Sequence, residues 1–393
     1  MARIGIDATS VGPSGKGIAR YQKNIVRWLG QLDRSHEYFI FHTALGRALT
    51  ELTYPNYHFI RVPFCSSLVW DQIELPWFAQ KYDLDLVHTA YDRLPLLSKV
   101  PFVIYLFEIP TYRIALCRRL NVRYRWYQRY AEAYNASNFP YALRKAALIV
   151  TSSEFTKRDL MDQFSVPERK IKVVYPAHEE DFEPAADPEM RRRIQMRFAG
   201  GSEYLLHFST GDPRDNTPIV LEAFRLAKAK LAQDVKLVIV GMDRNRYQRA
   251  YGFSQNGLLD ESVLWHEFAM GETLVGLYQG ATAYIDPSLY EGFGFQFLEA
   301  MACGIPVIGS RSTAVPEVVD EAGILVDPND LAGFSEAVRD VVTNPSLQED
   351  LRQKGLLRAA RFNWRQTAQS VLCSFEELLN ESAGSKVMND AQR

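Results

Sequence analysis

Glu291 and Glu299 bracket the stretch Glu291-Gly-Phe-Gly-Phe-Gln-Phe-Leu-Glu299, which runs on into Ala300-Met-Ala-Cys-Gly-Ile-Pro-Val-Ile308. Gly292 and Gly294 lack a Cβ, so the backbone between the acids can approach a ligand closely. The run Phe295–Cys303 reads as a short helix closed by Gly304, with Pro306 beyond it. Its N-terminus then turns amide donors and a positive dipole end toward the glycine turn, a setting that suits a phosphate. Glu291 falls in the loop beside that anion, and Glu299 lies one turn inside the helix. One carboxylate for sugar hydroxyls, one for a ribose diol and a phosphate between them is the ligand chemistry this spacing fits. In isolation the pair would read as solvated helix-end carboxylates; the surrounding motif argues against that.

Strands alternate with helices along most of the chain, a pattern that calls for parallel sheets. The first series is Arg3–Asp7, Tyr38–His42, His58–Val62, Asp85–His88, Pro101–Leu106, Ala147–Thr151 and Ile171–Tyr175. The second is Tyr204–Phe208, Val235–Val240, Val263–His266, Thr282–Asp286, Pro306–Gly309 and Gly323–Val326. Between them the Pro- and Gly-punctuated, charged stretch Pro176–Gly201 marks a boundary. The expected division is residues 1–183 for a first domain and 184–365 for a second. A last helix over 366–381 is expected to pack back on the first domain, followed by a disordered tail at 382–393. Each half reads as its own doubly wound sheet, which binds ligands at the carboxyl ends of its strands.

A chain of 393 residues exceeds what one core ordinarily organises. Hydrophobic residues make up 47% and charged residues 23%, the balance of a globular protein. The 45 basic side chains against 47 acidic ones exert no global pull on nucleic acid. Cys65, Cys117, Cys303 and Cys373 are scattered singly, without metal-ligand spacing or a disulfide framework. The chain opens on a strand rather than a signal peptide, and no apolar run reaches membrane-spanning length. The expected setting is reducing and cytoplasmic.

These residues resemble those of the retaining glycosyltransferases of family 4. The match is strongest from Tyr278 to Asp330, where Glu, seven residues, Glu and then Ala-Met-Ala-Cys-Gly-x-Pro-Val-Ile follow in the family's order. Val315-Pro-Glu-Val-Val319 and Val326-Asp-Pro-Asn-Asp330 fit the same pattern. Gly15-Lys-Gly-Ile-Ala-Arg-Tyr21 looks like the family's glycine loop, which faces the donor phosphates through Gly15 and Gly17. By itself that loop could simply shape a strand-to-helix turn.

The resemblance implies an α/β fold of GT-B architecture, two doubly wound (Rossmann-like) domains facing a cleft. It implies transfer of a sugar from a nucleotide-activated donor to a hydroxyl of a glycan or lipid-linked acceptor, in polysaccharide biosynthesis. Glu291 would bind the donor sugar near its reacting face, with Glu108 the other candidate catalytic group. Amides of Gly292, Phe293, Gly294 and Phe295 would hold sugar hydroxyls, and those near Leu298 the phosphates. Glu299 would take the ribose, and the backbone around Phe268 the nucleobase. Neither cofactor nor metal is implied, since fixed cations and amides can stabilise leaving-group charge.

Three positions depart from the family pattern. Gly211-Asp-Pro-Arg-Asp-Asn216 carries Asp215 where a Lys that binds diphosphate is usual, although Arg214 keeps a cation beside it. An Asp facing a diphosphate repels it by roughly 1 to 4 kcal/mol, so on this reading Asp215→Lys tightens nucleotide binding. Phe107-Glu108 replaces the family's His-Asp, and Phe107 cannot exchange a proton. Gln296 replaces a Pro. These departures keep open a non-catalytic sugar-nucleotide binder or partner subunit. A dinucleotide-dependent dehydrogenase is disfavoured, because Ser14-Gly-Lys-Gly17 lacks the third glycine of that fingerprint.

From Tyr112 to Tyr134, Arg113, Arg118, Arg119, Arg123, Arg125 and Arg129 interleave with Tyr112, Tyr124, Trp126, Tyr127, Tyr130 and Tyr134, against the single acid Glu132. Arg118, Arg119, Arg123 and Trp126 would grip a phosphorylated, lipid-linked acceptor or dock peripherally at the inner face of a membrane. The alternative is a helix with rings inward and arginines in water. No nucleic-acid motif accompanies the patch. His88, His178, His207 and His266 each end or follow an apolar run and read as structural histidines.

Overall fold

The computed structural model describes residues 1–12, 17–43, 49, 51–63, 66–109, 126–251 and 260–391, with the backbone alone at 126–132, 136, 250–251 and 382–391. Two units divide the chain: 1–114, 122–176 and 363–393 form one, 115–121 and 177–362 the other. The division thus falls after Pro176, a few residues ahead of the composition-based boundary.

The first unit is a seven-stranded parallel sheet in the order β3-β2-β1-β4-β5-β6-β7. Its strands are β1 Arg3–Asp7, β2 Glu37–His42, β3 Tyr57–Arg61, β4 Leu86–Thr89, β5 Phe102–Leu106, β6 Leu148–Thr151 and β7 Ile171–Val173. These segments are apolar on both faces, as a sheet covered by helices on two sides requires. Phe41, Phe102, Ile104 and Ile149 fill one side of the sheet together with Trp70 and Phe139.

The second unit repeats the plan with six strands in the order β10-β9-β8-β11-β12-β13. They are β8 Glu203–Phe208, β9 Val235–Val240, β10 Val263–His266, β11 Ala283–Asp286, β12 Val307–Ser310 and β13 Gly323–Val326. In both sheets the strand order reverses beside the first strand, between β1 and β4 and between β8 and β11. Such a switch point opens a crevice at the carboxyl ends of the strands, so the loops after these four strands are where ligands belong.

Helix Trp364–Ala391 belongs to the first unit. Thr367 Oγ1 donates to the Tyr175 carbonyl at 2.7 Å, and Phe375 packs against the His88 ring at 5.3 Å. The helix continues past Glu381, where the sequence reading placed a tail. No proline interrupts 382–391, so nothing local stops the helical ladder there.

Candidate functional site

The two carboxyl-end loops at the second unit's switch point are stitched together through backbone groups. After β8 the chain makes a tight turn over Pro213–Asp215. The Asp212 carboxylate accepts from the Arg214 amide at 3.0 Å and from Arg214 Nη2 at 3.2 Å. Asn216, at φ 51°, donates from Nδ2 to the carbonyls of Pro287 (3.0 Å) and Pro328 (2.9 Å). The Leu289 amide reaches the Arg214 carbonyl at 2.8 Å. One asparagine and one carbonyl thus lock the loop after β8 to the loops after β11 and β13.

Asp215, which the sequence places beside the expected diphosphate, is bonded within its own loop. Its Oδ2 accepts from the Thr210 amide at 2.6 Å and from Thr210 Oγ1 at 3.1 Å, closing the loop on itself. Burial pushes this carboxyl up to about 6, with the nearby Asp212 charge adding to the rise. At the end of β11, Asp286 accepts from the Tyr284 hydroxyl at 2.6 Å and the Ser288 amide at 3.0 Å. Burial, assisted by the Asp215 charge, pushes Asp286 up to about 7. The loops after β8 and β11 therefore hold two carboxyls raised well above the usual carboxylate range.

Glu291 sits half-buried in the loop after β11. Its amide donates to Thr313 Oγ1 at 3.0 Å, and its carbonyl accepts from the Ala314 amide at 3.3 Å. Gly294, at φ 95°, turns the chain into helix Phe295–Ala302. Gly309 of β12 lets that helix lie close: a Cβ there would meet Phe297 Cε1 at 2.7 Å. Gly304 ends the helix region at φ 70°. The amides of the first turn of this helix lie just ahead of Leu298.

Glu299 is 3% exposed, and its Oε2 accepts the Tyr278 hydroxyl hydrogen at 2.8 Å. Phe293 is buried, with its ring 5.8 Å from that of Phe362. Phe268, in the loop after the edge strand β10, stands largely in solvent at 66% exposure. Arg214, Glu291, Gly292, Phe293, Gly294, Phe295, Leu298 and Glu299 are thus gathered in the loops and helix following β8 and β11, with Phe268 at the same end of the sheet.

Gly17 is the first residue of helix Gly17–Leu32 in the first unit; Gly15, Arg118, Arg119 and Arg123 lie outside the described residues. Trp126 opens helix Trp126–Lys145. Glu108 follows β5, half-buried. Beside it the Phe107 ring packs 4.9 Å from Tyr105 and 5.8 Å from Tyr21. The histidines are held as expected. His88 Nε2 meets the Tyr21 hydroxyl at 2.9 Å and Nδ1 the Val103 carbonyl at 3.1 Å. His207 lies between Thr217 Oγ1 and the Ile285 carbonyl. Burial lowers both rings to about 4, so they are neutral.

The sequence reading missed a polar network at the first unit's own switch point. Asp7, the last residue of β1, accepts from Thr9 Oγ1 at 2.7 Å, Trp70 Nε1 at 3.1 Å and Thr89 Oγ1 at 3.1 Å. Burial raises its pKa. Next to it Arg93 Nε donates to Asp71 Oδ2 at 2.6 Å, and burial still pushes Asp71 up to about 6. The one local signal was a charged residue ending an apolar strand. Among the described residues no group of three or more His, Cys, Asp or Glu is arranged to hold a metal ion, and no helix is long and apolar enough to cross a membrane.

Comparison with known proteins agrees with this architecture. Residues 15–182 match the family described as Glycosyltransferase Family 4, and residues 191–358 match Glycosyl transferases group 1. O-antigen chain mannosyltransferase B of Escherichia coli is 29% identical over 237 residues, 60% of this chain and 62% of that protein. D-inositol 3-phosphate glycosyltransferase of Acidothermus cellulolyticus is 28% identical over 59% of this chain and 54% of its own length. The chain thus spans less than two thirds of either relative. Sucrose-phosphate synthase from Thermosynechococcus elongatus superposes with a TM-score of 0.73 at 18% identity, covering 97% of this chain and all of that one. Anabaena HepE, solved with UDP and glucose, gives 0.72 at 16% identity over 96% of this chain and 100% of its own. With a family 4 domain followed by a group 1 domain on two parallel doubly wound sheets, the chain belongs to the GT-B glycosyltransferases.

Proposed function

We propose that the protein is a retaining, metal-independent glycosyltransferase that moves a hexose from a nucleotide-activated donor to a hydroxyl of a glycan or lipid-linked acceptor. The observation that carries this reading is the bracket of Glu291 and Glu299 around a glycine turn and helix N-terminus at a switch point. Amides of the turn and first helical residues would face the diphosphate, with Arg214 as the nearby cation. Glu291 would accept hydrogen bonds from the sugar hydroxyls, and Glu299 from the ribose. Rate enhancement would then come from fixing the acceptor on the departing nucleotide's face and from preformed donors to the leaving phosphate. The relatives named for mannosyl transfer make a mannosyl nucleotide the first donor to try. Their O-antigen and serotype names support a place in polysaccharide assembly, with the protein working peripherally at the cytoplasmic face of a membrane.

Incubation with a panel of nucleotide sugars and glycan acceptors, read by nucleotide release and by the anomeric configuration of the product, tests this reading. Release with net inversion would refute retention. Turnover that chelation abolishes and added magnesium or calcium restores would refute metal independence. A second reading, a non-catalytic binder, is favoured by one observation: Phe107 is wedged among Tyr21 and Tyr105 where the family places a His. Donor binding with no turnover by any acceptor would establish it.

A further inference from the structure

Arg358, in the last turn of helix Pro345–Ala359, is largely shielded from water and spreads its guanidinium over a neighbouring helix, Val315–Val319. Its Nε donates to the Val318 carbonyl at 2.9 Å and its Nη2 to the Glu317 carbonyl at 2.6 Å. Nη1 stands 3.5 Å from Asp320 Oδ2. The same guanidinium lies over the Phe362 ring at 5.2 Å, and that ring meets Phe293 at 5.8 Å. A cation on the last carbonyls of a helix is an ordinary stabilising cap. What the helix holds at its other end gives this cap a further role.

Helix Val315–Val319 has only five residues, so a shift at one end carries to the other. Just ahead of it, Thr313 Oγ1 and the Ala314 amide hold the two backbone polar groups of Glu291, at 3.0 and 3.3 Å. Thr313 at φ 54° and Asp320 at φ 55° flank the helix. A left-handed φ is strained for a β-branched threonine, and such strain persists only where the surroundings fix it. The Glu291 amide ties down the first of these residues and Arg358 the second. Arg358 thus reaches Glu291 through one short element, while Phe362 supports Phe293 two residues further on. The first turn of helix Phe295–Ala302 is anchored separately. Phe297 packs on Gly309, and Met301 lies where a Cβ on Gly355 would meet its Cγ at 3.3 Å. We infer that Arg358 is a positioning residue for Glu291, setting where that residue meets the donor sugar while leaving the diphosphate-facing turn in place. The inference rests on the proposed role of Glu291 at the sugar.

The test is calorimetric titration of the full chain with uridine, guanosine and adenosine diphosphate sugars, each paired with its free diphosphate. Arg358→Ala weakens binding of the parent's preferred nucleotide sugar by about tenfold and moves the free diphosphate by less than about twofold. Thr313→Ala, acting at the other end of the short helix, does the same. Arg358→Lys keeps the charge and one donor, loses only about threefold, and serves where the alanine variant folds poorly. In a Glu291→Ala background, Arg358→Ala changes nucleotide-sugar affinity by less than about twofold. Val341→Ala, which opens a cavity in the second unit's core, is the stability control: its unfolding temperature falls while the ratio of the two affinities stays at the parent value. An Arg358→Ala that behaves like this control, weakens both ligands equally, or keeps its full effect without the Glu291 carboxylate overturns the inference. Failure of the parent to bind any nucleotide sugar instead refutes the donor reading, and the inference falls with it.

Discussion

Tyr278 donates its phenolic hydrogen to Glu299 Oε2 at 2.8 Å, inside a region where Glu299 is almost wholly shielded from water. The second acid of the bracket is therefore oriented before any ligand arrives. A carboxylate buried with fewer donors than it needs is costly. Tyr278→Phe should destabilise the second unit by about 1–3 kcal/mol, and it should raise KM for the nucleotide sugar several-fold with a smaller change in kcat. A fall in unfolding temperature with KM unmoved would reduce Glu299 to a structural acid.

Glu291 differs from Glu299 in being half-buried, and the bonds that join it to Thr313 and Ala314 are made by its backbone. The bond to Ala314 is the longer of the two, at 3.3 Å against 3.0 Å, and neither uses the carboxylate. Removing the carboxylate therefore leaves these two backbone bonds in place. Glu291→Ala should lower kcat by about 100-fold or more, with the unfolding temperature close to the parent's. An unchanged rate would remove Glu291 from the chemistry.

Most of the fold could be read from local sequence. All the strands of both sheets were recognisable because buried parallel strands are short apolar runs between Gly, Pro and polar breaks. Helix Phe295–Ala302 was visible because Gly304 adopts a left-handed φ of 70° that favours glycine. The Glu291–Glu299 bracket was legible for the same reason: its residues are neighbours in the chain. The Asp7 network was not, since Trp70 and Thr89 reach Asp7 across 63 and 82 residues. The partner of Asp215 was not legible either. Residue type suggested a charge turned toward a ligand, whereas the side chain points to its own loop's Thr210.

That geometry reverses the expectation for Asp215→Lys. The carboxylate closes the loop through two donors of Thr210, and Arg246 Nη2 clasps the Thr210 carbonyl at 2.9 Å from the other side. A lysine cannot accept either bond, and its ammonium would sit against Arg214 and Arg246. Asp215→Lys should weaken nucleoside diphosphate binding by about tenfold, whereas Asp215→Asn, which keeps one acceptor oxygen, should lose less. Calorimetric titration with a nucleoside diphosphate decides the matter. Tighter binding by the lysine variant would restore the simple repulsion account.

The proton held at the crevice gives the second unit a distinct pH signature. Asp286 titrates at about 7 in the folded chain because burial disfavours its charge, while an unfolded Asp titrates near about 3.9. Between those values the folded state holds a proton that the unfolded state has released. Its contribution is complete below about pH 4 and is lost as pH rises through 7, at about 1.4 kcal/mol per pH unit. Asp215, pushed up to about 6, acts in the same sense. His207, lowered to about 4, acts in the opposite sense, losing stability as pH falls below the ordinary histidine range. The contributions overlap, so the informative quantity is the stability of the parent minus that of Asp286→Asn. This difference should decline from about pH 5 to 7 and level off above, in denaturant titrations at each pH. A difference that stays constant, or grows with pH, would mean that Asp286 is ionised throughout and that the crevice carries its charge unneutralised.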